Sequence, residues 1–167
     1  MSESFIPKEI LVEFKKESTQ MLQKLSVVVE KLEDWHGPFP KLEMVDFAMK
    51  IDQILKHMSS VEKYLPQHAG FKAMKQIAGV CKYMGYKANE QPNPNLVPVL
   101  SAFWADSIEF VQNLVDAIDN PEESAIVVKQ VGDVLVKRLQ WVVKKMNPNM
   151  TDVTIKDLNF DDLEKVS

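Results

Sequence analysis

The chain has 167 residues, 46% of them hydrophobic and 26% charged, the composition of a folded globular domain rather than a disordered or fibrous chain. At this length roughly 70% of the unfolded surface can be buried, so a single domain is expected to hold together on its core alone. Twenty Lys and Arg against 24 Asp and Glu leave a net charge of −4, which argues against a coat for nucleic acid or anionic lipid and points to protein partners.

The only cysteine, Cys81, excludes an intramolecular disulfide and suggests a reducing compartment, the cytoplasm. Residues 1–7 lack the basic start and apolar stretch of a signal peptide, and no run of 18 apolar residues occurs, so neither export nor a membrane span is expected.

The prolines cluster outside the periodic stretches, which marks the loops of a helical protein. A first helix opens near Pro7 and carries Ile10, Phe14, Met21, Leu25, Val28, Leu32 and Trp35 at gaps of three and four, with Leu11, Leu22 and Val29 widening the stripe. That width suits a helix packed against two neighbours. His36-Gly37-Pro38-Phe39-Pro40 stops it. The second helix, 41–65, places Val45, Ala48, Ile51, Ile54, Leu55, Met58, Val61 and Leu65 on one side. A short third helix, 71–86, turns Phe71, Met74, Ile77, Ala78, Cys81 and Met84 inward and Lys72, Lys75 and Lys82 outward.

The polar run 88–95 has the composition of a loop, and Pro98 is tolerable only in a first turn, so the fourth helix starts near Asn95. It presents Leu100, Phe103, Trp104, Ile108, Val111, Leu114, Val115 and Ile118 to the core. Asn120-Pro121-Glu122-Glu123 supplies a cap, a first-turn proline and two acids facing the positive end of the helix dipole. The fifth helix continues from there through Val127, Val131, Val134, Leu135, Arg138, Val142 and Met146, closing on Lys144 and Lys145. Trp35, Trp104 and Trp141 read as core anchors, and methionines such as Met44, Met49 and Met58 as gap-fillers.

The expected fold class is therefore all-α, an antiparallel up-and-down helical bundle of four main helices and one short one over 1–149, followed by an acidic tail over 150–167. In that tail Phe160 and Leu163 stand among Asp157, Asp161, Asp162 and Glu164, a pattern that fits either a loosely packed end or a docking peptide that inserts both apolar side chains into a partner's groove.

Residues 71–86, FKAMKQIAGVCKYMGY, resemble the histidine-phosphotransfer family, including the phosphotransfer domain of the chemotaxis kinase. In that family a bundle helix carries an aromatic-basic start, a histidine, an apolar residue, a lysine and a glycine, and a second glycine ends it. Phe71 and Lys72 match the start, Ile77 the apolar position, Gly79 the glycine and Met84-Gly85-Tyr86 the end. The histidine position holds Lys75, and the lysine that balances phosphoryl charge falls at Ala78. An ammonium group offers no imidazole nitrogen to a phosphoryl group, so phosphotransfer there is not expected.

What the resemblance implies is a degenerate phosphotransfer domain, a two-component signalling adaptor without catalysis. Lys72, Lys75 and Lys82 would present positive charge to the acidic pocket of a response-regulator receiver domain, with Ala78 and Gly79 between them; the plainer reading of those lysines is a solvated helix face. Gly79, costing about 1 kcal/mol relative to alanine within a helix, suggests close approach of a partner or of a neighbouring helix.

Two alternatives stand beside this reading. His57, with Lys56 next to it, could serve a genuine phosphocarrier, although no lysine-glycine pair follows it; or the bundle could serve oligomerisation, its oligomeric state being open. Three histidines and one cysteine on separate segments give no zinc pattern, and phosphate loops, Gly-x-Ser-x-Gly elbows and Glu-x-x-His motifs are absent from the sequence, so no metal, cofactor or enzyme activity is expected.

Overall fold

The structure, a computed structural model, describes residues 6–64, 68–90 and 92–146. Among these residues there are five α-helices and no strand: α1 Lys8–Glu33, α2 Lys41–Val61, α3 Ala69–Glu90, α4 Val97–Asp116 and α5 Pro121–Met146. Single 3-10 turns at Glu62–Tyr64 and Pro94–Leu96 extend α2 and lead into α4.

The ends of these helices follow local chemistry. After α1 the Trp35 indole N–H donates to the Pro38 carbonyl at 2.7 Å, and Gly37 takes φ 122°, a left-handed dihedral that only glycine enters freely. Asn93 Oδ1 accepts from the Asn95 N–H at 3.0 Å before Pro94, and Pro98 falls in the first turn of α4, where its missing donor costs nothing. At α5 the expected cap forms, with Asn120 Oδ1 accepting from the Glu123 N–H at 3.1 Å.

The helical bundle closes as a ring: α1 packs on α2 and α4, α3 packs on α2 and α4, and α5 lies outside the ring against α3 and α4. Ion pairs and contacts step backward along α2 as they step forward along α3, from Glu62 with Lys75, to Asp52 with Lys82, to Ala48 beside Gly85. At the centre the Phe47 ring of α2 stacks on Trp104 of α4 with centroids 3.9 Å apart, both fully buried. Removing either would cost about 3–5 kcal/mol.

Several expectations need correction. The third helix is not short: it runs 22 residues, because Ala88 is buried, Lys87 pairs with Glu90, and the break comes only near Pro92. The inner face of α2 is turned toward Met44 and Phe47, leaving Val45 and Leu55 half-buried. Met49, Val134 and Trp141 are exposed rather than core, at 54%, 46% and 52%. For the α5 pair the reason is that only one side of the helix meets α3 and α4. The tail over 150–167, with Phe160 and Leu163, lies outside the described residues, as does Leu65.

Candidate functional site

On α3, helical register places Lys72, Lys75, Gly79 and Lys82 on one face. Of these, Lys72 is exposed and the other two lysines are half-covered and engaged with α2. The Lys75 ammonium donates to both Glu62 oxygens at 3.0 Å. Lys82 donates to Asp52 Oδ1 at 2.9 Å, and the second Asp52 oxygen lies 3.3 Å from Lys56. The bond from Lys82 holds the Asp52 carboxyl below its ordinary range, against the opposing effect of partial burial. The outward lysines of the sequence reading therefore also rivet α3 to α2.

The other positions of the motif point inward, except Tyr86, which is exposed. Ala78 is 2% exposed and, with Ile77, Cys81, Ile51 and Ser107, lines an internal void of about 10 Å³, the lower bound for a single water. Ala78, expected on the surface between the lysines, is thus core. Gly79 is buried as well. Burial pushes the Cys81 thiol up to about 12, with the Ser107 hydroxyl pulling weakly the other way, so the cysteine is neutral and inert at physiological pH.

His57 is mostly enclosed. Its ring stacks on Phe14 with centroids 5.1 Å apart, Nδ1 lies 3.4 Å from Glu17 Oε2, and Nε2 is buried without a hydrogen-bond partner in the protein. Lys56 beside it points to Asp52 on the α3 side. His68, in the sequence reading a loop residue, caps α3: its Nδ1 accepts from the Phe71 N–H at 3.2 Å. Burial holds its imidazole below the ordinary value, against a smaller upward pull from the Ile118 carbonyl. His36 is exposed beside Gly37.

Elsewhere on the ring, an open groove of about 270 Å³ runs between α1 and α4, floored by Leu22 and Ile108 and rimmed by Gln23, Ser26, Glu109 and Gln112. No group of three or more His, Cys, Asp or Glu side chains that could hold a metal occurs among the described residues, nor is any described helix long and apolar enough to cross a membrane.

Asp52 and Glu62 are the residues the sequence reading missed. Their signal was present only in part: Asp52 and Lys56 stand at i,i+4, but partnership with Lys82 and Lys75 depends on how α2 and α3 align. The charge of the helices is nonetheless uneven in a way the sequence carries. Four lysines of α3 face the single Glu90, whereas α4 holds Asp106, Glu109 and Asp116 with no basic residue. No protein-family model, curated protein or solved structure matches this chain.

Proposed function

We propose that the chain is a non-catalytic signalling adaptor of the cytoplasm, a pseudo-phosphotransfer domain that binds a receiver-domain protein through the outward face of α3. In this reading the helices run up and down, antiparallel, as a domain over 1–149, with the acidic segment 150–167 as a second contact through Phe160 and Leu163. The observation that carries it is the charge of α3, four lysines against one glutamate on a helix that presents Lys72, Lys75 and Lys82 along one face.

Opposite surface potentials of this kind govern encounter rate and partner choice more than final affinity. The pairs to Glu62 and Asp52 hold two of the ammonium groups in place but offset part of their charge, so a partner's acids compete with those carboxylates for Lys75 and Lys82 while Lys72 stands exposed. Ala78, turned into the core, and Gly79, buried, make no direct contact with the partner in this reading.

The enclosure of His57 Nε2 and the position of Glu17 beside Nδ1 favour the adaptor over the phosphocarrier. A phosphorylated receiver domain carrying labelled phosphate, incubated with this chain, tests the distinction. The adaptor binds and acquires no acid-labile label. Label that appears on wild type and disappears in His57→Gln establishes the phosphocarrier instead.

A further inference from the structure

The face of α5 turned away from α3 and α4 is amphipathic in its own right. At about 100° per residue, Ile126, Gln130, Val134, Lys137, Trp141 and Lys145 fall within an arc of about 100°. All six are exposed, with Ile126 at 55%, Val134 at 46% and Trp141 at 52%. The Lys145 ammonium lies over the Trp141 ring, 5.5 Å from its centroid. An aromatic, two aliphatic side chains and two cations in one line make a surface suited to an acidic segment with apolar anchors.

Such a segment follows α5 directly. Residues 147–167 hold five acids and two lysines, and in the stretch 157–164 Phe160 and Leu163 alternate with Asp157, Asp161, Asp162 and Glu164. Reach is no obstacle. Trp141 lies about 8 Å and Ile126 about 30 Å back along α5 from Met146, and an extended chain covers the longer distance in roughly nine residues.

We propose that residues 150–167 dock back on this face of their own chain, with Phe160 and Leu163 against Trp141 and Val134 and the acids opposite Lys137 and Lys145. Covalent attachment makes the effective concentration of the segment millimolar, so an intrinsic affinity of that order already leaves it about half bound. Docking there masks Phe160 and Leu163 from any other groove, and a partner must displace them to use them. The docking is independent of what binds α3.

A nitroxide on Ser167→Cys tests this in the full chain, because native Cys81 is buried and inert and the label goes to the new thiol. The expected result is that the Trp141 indole and Val134 amide signals lose more than half their intensity relative to the reduced sample. Those of Met49 and Gln53 on α2 stay intact, and Lys137→Glu with Lys145→Glu restores the lost intensity. Unchanged Trp141 and Val134 signals overturn the proposal. So does broadening in a mixture of isotope-labelled native chain with unlabelled nitroxide chain, which assigns the face to a second copy.

Discussion

Replacing Asp52 with asparagine keeps the size of the side chain and an acceptor for Lys82 while deleting the charge that joins α2 to α3. In the native chain Asp52 accepts from Lys82 at 2.9 Å, the two side chains being only 31% and 23% exposed, and it faces the far more exposed Lys56 at 3.3 Å. A hydrogen bond to a charged group is worth about 1.5–3 kcal/mol when sheltered, and an exposed ion pair about 0.2–1 kcal/mol. The Lys82 bond is partly sheltered and the Lys56 pair is not, so Asp52→Asn is expected to lower stability at neutral pH by about 1–2 kcal/mol. Because the folded carboxyl titrates below its ordinary 3.8, this contribution is fully present above 3.8 and is lost as pH falls through the folded value. Urea unfolding of both proteins across acid and neutral pH therefore gives two stabilities that converge in acid. A difference that stays constant from neutral pH to well below 3.8 would refute an electrostatic origin of the seam. The same variant frees Lys82, so binding of an acidic partner on α3 should become faster even as the fold weakens.

Other changes have equally definite outcomes. A Cβ at Gly70 would sit 2.9 Å from Ser124 Cβ, and Ser124 is held by its bond to the Ala117 carbonyl at 2.7 Å, whereas one at Gly85 would meet Ala48 Cβ at 3.3 Å. Gly70→Ala should thus lose about 1 kcal/mol or more in thermal or urea unfolding and Gly85→Ala less, and the reverse order would count against the close approach of α3 to α5. His68 caps α3 only when its Nδ1 is unprotonated, and its folded value lies below 6.5; stability is complete above 6.5 and declines as pH falls through the folded value. His68→Asn keeps a cap acceptor that does not titrate, so its unfolding curve should lose less between neutral and mildly acidic pH than that of wild type. Finally, Cys81 should resist a thiol reagent at mildly alkaline pH in the folded protein and react fully in denaturant, since burial lifts it to about 12.

Much of the helical plan was legible because its signals are local. Phe14, Leu25, Ile51, Met74, Leu100 and Leu114, placed inside by three-and-four spacing alone, are all buried, and the cap at Asn120 formed as its neighbours Pro121 and Glu123 suggest. What was not legible depends on how many sides of a helix find a neighbour. Trp141 and Val134 have the right spacing for a core yet face outward, since α5 sits outside a ring already closed by α1 to α4. The length of α3 was hidden by polar residues 89–90, which continue a helix that Ala88 anchors in the core.

The candidate site was legible as a row of lysines and illegible as a seam, for a similar reason. Lys72, Lys75 and Lys82 share a face by register, but Glu62 lies 13 residues before Lys75 and Asp52 lies 30 before Lys82, separations that no helical period connects. Ala78, read as part of the surface motif, is core because, three residues on from Lys75, it is rotated by about 60° to lie under α2 and α4, beside Ile51 and Ser107.

The docking role of α3 is tested most directly by titrating purified receiver domains, with and without phosphoryl on their aspartate, into wild type and into Lys72→Glu with Lys75→Glu. If α3 is the docking face, at least one receiver binds wild type with an affinity that falls as salt rises, and the double reversal weakens it tenfold or more while the helical content is unchanged. Absence of binding by every receiver, or binding that the reversal leaves untouched, would contradict the assignment of α3 as the surface this protein uses.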